Sequence, residues 1–267
     1  MNCRNCQTDL NESDLFCKNC GGKIIRNRLT LRNLFENFSE QFLNYDNKFL
    51  QTFIHLFSKP EAVIGSYIDG TRKKYVNVIS YFAIAITIGG LQMFILKKFF
   101  PEAIDLTSIS SPGSEDFSKS IFDLTTEYQS IIMMLYVPIY ALMSKITFLK
   151  NKKYNYTEHL VIFMYILSQL TITSAIFMII AANFGQTIGS LAFTLTLPLH
   201  VFYSAYCLKR LFPLSIKKIL LKTLLFLVIL TVFFIISSFI AAVVMYFTGD
   251  MQEMIEAQKA AKEVTGN

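Results

Sequence analysis

The sequence predicts an all-α polytopic membrane protein with about five transmembrane helices and a small N-terminal module that contains four cysteines. Hydrophobic residues make up 53% of the 267 positions, and the mean hydropathy is +0.43. Only 16% of the residues are charged, whereas soluble chains carry roughly 25%. The apolar residues also stand in long blocks rather than at helical or strand period, which indicates that a bilayer is their solvent.

Five apolar blocks are each close to the ~20 residues that a helix needs to cross ~30 Å of hydrocarbon. The short gap between the third and fourth blocks predicts a tight helical hairpin. Pro138 and Pro198 fall inside the second and fourth blocks, where neighbouring helices and water can satisfy the freed carbonyls. The predicted transmembrane domain, 76–247, contains spans at 76–96, 128–149, 160–183, 185–208 and 219–247, and a polar tail, 248–267, follows it.

The basic residues predict the orientation of these spans. If the N-terminus is cytosolic, 20 of the 25 lysine and arginine residues fall in inside segments, and the first outside loop is acidic. Cytoplasmic loops carry this excess of positive charge in membrane proteins. The first 30 residues contain no apolar h-region, so we expect the first span to be an uncleaved anchor. We therefore predict a protein of the inner membrane with its N-terminus cytosolic and its C-terminus outside.

Residues 1–25 contain two Cys-x-x-Cys pairs, which predict a metal site. Cys3 and Cys6 form the first pair, Cys17 and Cys20 form the second, and Gly21 follows directly. Two such turns supply four thiolates for a tetrahedral site, and glycine after the second pair permits the positive φ that the turn needs. So small a segment has no hydrophobic core, and metal binding would supply its folding free energy. The pattern predicts a minimal zinc ribbon with structural Zn²⁺.

Other chemistry is possible for four thiols. Two disulfides would suit an oxidising compartment, whereas the predicted topology places the cysteines in the reducing cytosol. Iron in a rubredoxin-like site shares the all-thiolate tetrahedral geometry, so the sequence leaves zinc and iron open. Redox chemistry of the thiols is a further alternative. Catalytic zinc is disfavoured because four protein thiolates leave no open coordination position.

The segment 26–75 predicts amphipathic juxtamembrane helices. Its apolar residues recur at steps of three and four with a polar face opposite, and Pro60 is well placed to begin a further short helix. Two placements are open: the inner-leaflet surface, or packing against the transmembrane bundle. The apolar stripe consists of Leu31, Leu34, Phe35, Phe38, Phe42, Phe49, Phe53, Leu56 and Phe57.

Polar residues inside the predicted spans are the remaining functional candidates. Gln169 lies in span three and His200 in span four, and Asn183 and Gln186 flank the hairpin between them. Cys207 stands alone among apolar residues, and we expect it to act only as a small hydrophobic side chain. No predicted span contains Asp or Glu, which disfavours a proton- or cation-coupled transporter, and no catalytic motif occurs in a suitable context. We therefore expect no catalytic residues and no enzyme activity.

Three motifs lead into the first span: the cysteine pairs, Asp46-x-x-Phe49-Leu50-x-Thr52, and Tyr67-Ile68-x-Gly70-x-Arg72-x-x-Tyr75. On these motifs, and most strongly on the last, the chain resembles a bacterial domain-of-unknown-function family of multi-pass membrane proteins with an N-terminal zinc ribbon. The chain departs from the family at Gly22, where Gln is common, and at Pro60-Glu61, where Pro-Gly is common. The resemblance implies a membrane location and a zinc ribbon but no established activity. The layout alone is also similar to Yip-type five-span proteins.

Two functions fit these features. The first is a non-enzymatic scaffold at the inner membrane, where the zinc ribbon docks a cytosolic protein partner. The alternative is a small permease or channel formed by the helix bundle. It is suggested by the two prolines inside the spans and by the polar residues Gln169, Asn183, Gln186 and His200. The lipid bilayer is a partner in both cases, and a homo-oligomer is compatible with either. Nucleic acid is not expected, because the basic residues already serve topology and anionic-lipid contact.

Overall fold

A computed structural model describes residues 2–22, 24, 48–71, 73–104, 123–151 and 153–248. The chain divides into two compact units, Met1–Asn47 and Lys48–Asn267. In the first unit, the described residues form turns, and Asn2 and Asp9 form an isolated antiparallel bridge. The second unit is helical. The stripe residues before Lys48 and most of the predicted tail 248–267 lie outside the described residues.

The second unit begins with two short helices and continues with five long ones. The long helices α3 to α7 are each long and apolar enough to cross a membrane. The predicted fold class, an all-α protein with five candidate spans and a four-cysteine cluster, is therefore confirmed. The helices are α1 (Lys48–Ser58), α2 (Pro60–Ile68), α3 (Val78–Phe99), α4 (Gln129–Thr147), α5 (Tyr156–Ala182), α6 (Gln186–Leu211) and α7 (Ile216–Thr248), with a 3₁₀ turn at Pro101–Ile104.

Helix α5 starts four residues before the predicted start of span three because a capping box fixes its first turn. The Asn155 side chain accepts a hydrogen bond from the backbone N–H of Glu158 (2.9 Å), and the Glu158 carboxylate accepts from the backbone N–H of Asn155 (2.6 Å). Both exchanges satisfy N–H groups that lack an intrahelical partner. Helix α3 begins after a similar but simpler cap, in which Asn77 accepts from the N–H of Ile79.

Helix α5 is the centre of the bundle, and α7 lies at its edge. In the most apolar 18-residue window of each helix, 50% of the α5 residues but only 6% of the α7 residues are buried in the protein. Ile162, Tyr165 and Ile166 of α5 are fully buried. The outward faces of α7 leave large apolar side chains exposed, as a bilayer requires of a lipid-facing helix.

Helices α1 and α2 pack against the bundle, which decides between the two placements that the sequence leaves open. Leu56 of α1 and Val63 and Ile64 of α2 are fully buried and belong to the same hydrophobic cluster as Tyr81 of α3 and Ile166 of α5. Burial of an aliphatic side chain of this size contributes about 1.5–3 kcal/mol. The two short helices are therefore integral parts of the membrane unit.

Polar contacts from α6 hold the end of α1 and the start of α2. The Tyr203 hydroxyl donates to the Leu56 carbonyl (3.0 Å), and the Tyr206 hydroxyl donates to the Phe57 carbonyl (2.9 Å), so the last carbonyls of α1 are satisfied. Arg210 Nε donates to the Glu61 carboxylate (2.9 Å). This hydrogen bond lowers the pKa of Glu61 below its ordinary value.

Candidate metal centre

The first cysteine pair lies on a tight turn. The N–H of Gln7 donates to the carbonyl of Cys3 (2.9 Å), and the N–H of Cys3 donates to the carbonyl of Thr8 (2.9 Å). Gln7, directly after Cys6, has a φ of 59°, which is uncommon for a residue with a side chain. The turn needs this left-handed conformation to bring both sulfurs of the pair to one side.

The second pair repeats this turn with glycine at the left-handed position. The N–H of Gly21 donates to the carbonyl of Cys17 (2.8 Å), and the N–H of Cys17 donates to the carbonyl of Gly22 (2.9 Å). Gly21 has a φ of 68°. The two turns therefore present their cysteines in matching ways, although the sequence marks only the second with glycine.

The two turns face each other across the four sulfurs. Cys3 Sγ lies 3.7 Å from Cys20 Sγ, and Cys6 Sγ lies 3.5 Å from Cys17 Sγ. All four sulfurs lie within 4.8 Å of one another. A tetrahedral Zn²⁺ site with Zn–S bonds of ~2.3 Å has sulfurs ~3.8 Å apart. The four predicted residues thus form one cluster of the size that a tetrahedral metal ion needs.

Polar neighbours favour thiolates at this cluster. The Thr8 hydroxyl lies 3.2 Å from Cys6 Sγ, and hydrogen bonds from the Thr8 hydroxyl and backbone lower the pKa of Cys6 to about 6. The backbone N–H of Gly22 and the side chain of Asn5 lower the pKa of Cys20. A thiolate, not a thiol, is the metal ligand. Sequence reasoning missed Thr8 and Asn5, since a threonine two residues after a cysteine carries no recognised signal.

Cys17 is the exception among these thiols. Backbone hydrogen bonds from Cys20 and Asn19 favour its thiolate, yet burial and hydrogen bonds to the sulfurs of Cys6 and Cys20 raise its pKa to about 11. Thiols this close release their protons as a coupled set, so a thiolate on Cys6 keeps the proton on Cys17. A bound divalent cation would remove that repulsion and favour deprotonation of all four.

The donor set fits a structural ion. Four thiolates would close the coordination shell of Zn²⁺ and leave no position for water or substrate. The described part of the module offers little else: its buried residues there are Leu10, Cys3 and Cys17, with Cys6 and Ile24 packed alongside. When bound, the ion would cross-link the two turns, and the four cysteines, Thr8 and Asn5 would hold it and orient the sulfurs.

Substitution at the two left-handed positions should have different effects on zinc affinity. Gly21→Ala places a Cβ where nothing lies within 4 Å, so its cost comes from φ alone and is about 1–2 kcal/mol. Because folding and metal binding are coupled in so small a module, we expect Gly21→Ala to weaken zinc affinity by roughly 5- to 30-fold. Gln7→Gly removes the same strain and should leave the affinity unchanged or higher. Competition with a chromophoric chelator measures both.

Gly22→Ala is the control for this comparison. Gly22 does not have a positive φ, and its added Cβ would meet Cys20 Sγ at 3.4 Å, an ordinary contact. We expect its affinity to stay within about two-fold of the unchanged protein. Equal losses for Gly21→Ala and Gly22→Ala would contradict the argument from φ.

Gln169, one of the polar candidates in the spans, is buried in the middle of α5 and contacts two other helices. Its Oε1 accepts a hydrogen bond from the Tyr81 hydroxyl of α3, and its Nε2 donates to the Phe53 carbonyl of α1 (3.2 Å). The Gln169 side chain is 0% exposed. Both ends of the amide are therefore used to join three helices.

The other polar candidates do not meet Gln169. Asn183, at the end of α5, donates to the Ile179 carbonyl of its own helix (2.7 Å), and Gln186 is the first residue of α6. His200 is partly buried on α6, and its Nε2 is buried without a hydrogen-bond partner among the described residues. Cys207 is fully buried. The structure thus brings together the four cysteines but does not bring together the polar residues of the spans.

Comparison with known proteins adds one result. A family model described as "Protein of unknown function (DUF3667)" matches residues 46–89, the part of the chain that contains α1, α2 and the first half of α3. The match supports the resemblance to a domain-of-unknown-function family over this segment. No curated protein and no solved structure matches the chain.

Proposed function

We propose that the protein is a non-enzymatic scaffold of the inner membrane whose zinc-stabilised N-terminal module docks a cytosolic protein partner. The proposal depends mainly on the closed four-thiol cluster, in which sulfurs of the two turns lie 3.5 and 3.7 Å apart. Such a site stabilises a small recognition surface and offers no coordination position for catalysis. The protein belongs to the membrane through its five apolar helices.

The module has an apolar feature suited to docking. Leu15 is 68% exposed, and Phe16 beside it is 54% exposed. Both lie directly before Cys17, so the metal-bound turn would fix their positions. Large apolar side chains held rigidly at a surface are typical anchors of protein interfaces.

The charge distribution supports a cytosolic location of this module. Placing the N-terminus inside gathers 20 of the 25 basic residues on the cytosolic side. The same placement keeps the cysteines reduced, which favours metal over disulfide. Zinc is proposed over iron because it is the ion that closed four-thiolate ribbons most commonly hold.

A permease has less support from the polar residues that suggested it. Both ends of the Gln169 amide form hydrogen bonds to other helices, and the Asn183 amide forms a hydrogen bond to its own helix. A cavity of about 550 Å³ lies elsewhere, between α3 and the start of α4, lined by residues such as Gly90, Lys97 and Gln129. A solute flux measured in proteoliposomes would nevertheless revive this alternative.

Two variants test docking separately from folding. In-cell crosslinking followed by affinity purification should recover a reproducible set of cytosolic proteins with the unchanged chain. Leu15→Asp should keep about one zinc per chain but lose these proteins, because a charge replaces an exposed apolar anchor. Cys17→Ser/Cys20→Ser should lose both zinc and partners.

Cys207→Ser is the control, since Cys207 lies in α6 away from the module's sequence and should change neither zinc nor partners. The proposal would be contradicted if Cys17→Ser/Cys20→Ser left abundance and co-purifying proteins unchanged. It would also be contradicted if no cytosolic protein were recovered from the unchanged chain.

A further inference from the structure

One end of the bundle is built around an aromatic cluster formed by Phe148, Tyr154 and Phe212, which follow α4, precede α5 and follow α6. The Phe148 and Phe212 rings stack with centroids 4.3 Å apart, and the Tyr154 ring meets Phe212 edge-on at 5.1 Å. All three side chains are buried. The cluster fixes the positions of the surrounding helix ends.

Three lysines from different segments converge on this cluster, and backbone carbonyls hold their ammonium groups. Lys145 Nζ donates to the Tyr154 carbonyl (2.6 Å), and Lys153 Nζ donates to the Leu211 carbonyl at the end of α6 (2.7 Å). Lys222 of α7 donates to a carbonyl in the last turn of α4. The carbonyls that Lys153 and Lys222 contact lie at the C-terminal ends of α6 and α4, where the last carbonyls of a helix carry partial negative charge and favour cations. We call Lys145, Lys153 and Lys222 the lysine triad.

Two of these ammonium groups also contact aromatic rings of the cluster. Lys153 Nζ lies 5.0 Å from the centre of the Tyr154 ring, and Lys222 Nζ lies 5.5 Å from the centre of the Phe148 ring. Both distances are within the range of a cation–π contact. The triad is therefore a pre-positioned set of cations rather than three freely moving surface side chains.

Among the residues that the structure describes, the triad has no anionic partner. No carboxylate of these residues lies within 4 Å of a triad ammonium group; the ion pairs of this part of the chain join Lys97 to Asp123 and Arg210 to Glu61. Glu158, at the same end, is engaged in the capping box of α5. Each ammonium has three N–H donors and spends one on a carbonyl, so donors and positive charge remain for a ligand.

We propose that the lysine triad is a binding site for the headgroup phosphate of an anionic phospholipid. The triad stands at the ends of membrane-crossing helices: Lys145 is in the last turn of α4, and Lys222 is in the second turn of α7. Helix α7 has 33 residues, about 50 Å at 1.5 Å per residue, so its ends must extend past the hydrocarbon into the headgroup layer. The phosphate of an anionic lipid is the anion that a bilayer presents at this depth.

Lysines at the same end provide an internal comparison. Lys209, Lys217 and Lys218 carry the same charge but have no hydrogen-bond partner among the described residues. Their attraction for anionic lipid is diffuse and screened by salt, whereas contact with a positioned cation persists at high salt. The inference does not depend on the proposed docking of a protein partner or on which side the N-terminus lies.

The test is lipid binding to delipidated full-length protein in neutral detergent at 0.5 M NaCl, followed by native mass spectrometry. Phosphatidylglycerol should bind the unchanged chain with an apparent Kd at least about ten-fold lower than that for phosphatidylcholine. Lys145→Gln/Lys153→Gln/Lys222→Gln should remove most of this preference. Lys209→Gln/Lys217→Gln/Lys218→Gln, which removes three charges at the same end, should change the Kd by less than about two-fold.

Two further measurements keep the test decisive. Lys145→Arg/Lys153→Arg/Lys222→Arg retains the charges and should retain the preference for phosphatidylglycerol. If the triple glutamine variant does not fold, Lys153→Gln alone replaces it in the test. Lys153 is exposed, and its single substitution should weaken binding roughly five-fold. Inorganic phosphate at 50 mM should not displace the lipid. Equal losses in the two triple glutamine variants would overturn the proposal, as would equal binding of phosphatidylcholine or displacement by free phosphate.

Discussion

Cys17→Ser/Cys20→Ser is expected to lose its zinc and the folded structure of residues 2–22. The module buries little besides Leu10 and two of its own cysteines, so metal binding must supply its folding free energy, on the order of 10–16 kcal/mol at neutral pH. Metal analysis should show about one zinc per unchanged chain and none in the variant. Amide hydrogen exchange should show protected turn amides, among them those of Gln7 and Gly21, only in the unchanged chain.

The membrane unit should survive this substitution. The two units are separately compact, and the variant removes no contact within Lys48–Asn267. Helical content by circular dichroism should therefore remain close to that of the unchanged chain. Persistent protection of the Gln7 and Gly21 amides in the zinc-free variant would show that the module folds without metal, against this expectation.

Gln169→Leu should destabilise the membrane unit by roughly 2–4 kcal/mol. The substitution leaves the Tyr81 hydroxyl without its partner in a buried place and removes the hydrogen bond from the amide to the Phe53 carbonyl. An unsatisfied buried group costs about 1–3 kcal/mol, and a lost hydrogen bond costs about 0.5–1.5 kcal/mol. The loss should appear as a lower free energy of unfolding in a dodecyl-sulfate titration of detergent-solubilised protein, followed by circular dichroism.

A double variant tests the origin of that loss. Tyr81→Phe/Gln169→Leu removes both hydrogen-bonding groups of the pair, so its destabilisation should be smaller than the sum of the single variants. Asn183→Ala is the matched control, because its amide is exposed and contacts only its own helix; we expect a change within about 0.5 kcal/mol. Additive losses in the double variant would contradict a direct Tyr81–Gln169 interaction.

The grouping of the four cysteines could be predicted because the spacing of each pair allows one turn to present both sulfurs. The geometry of the first turn could not be predicted, because Gln7 has a positive φ. Glutamine rarely adopts this conformation, so its presence in the sequence does not indicate one. The pattern of hydrogen bonds, in which Cys3 and Cys17 make the same contacts in their turns, becomes visible only with the backbone. Sequence spacing thus predicted that the four cysteines lie together but not the polar groups beside them.

The spans could be predicted from hydropathy, since lipid requires long apolar helices whatever their neighbours. Their ends depend on local polar contacts, and the signal for the start of α5 was present: Asn155 and Glu158 have the spacing of a capping box. The packing of α1 depended instead on partners far along the chain, such as Gln169 and Tyr203. Amphipathic periodicity marks a buried face but does not say whether lipid or protein covers it.

X-ray absorption at the zinc edge, on full-length protein purified under reducing conditions without added metal, tests the central claim most directly. That claim is that Cys3, Cys6, Cys17 and Cys20 hold one structural metal ion as a closed thiolate site. We predict about one zinc per chain with four sulfur neighbours at ~2.3 Å and no nitrogen or oxygen neighbour. A mixed shell with an oxygen neighbour, or cysteines recovered as disulfides, would contradict it. Iron in place of zinc would keep the closed thiolate site but contradict the proposed identity of the ion.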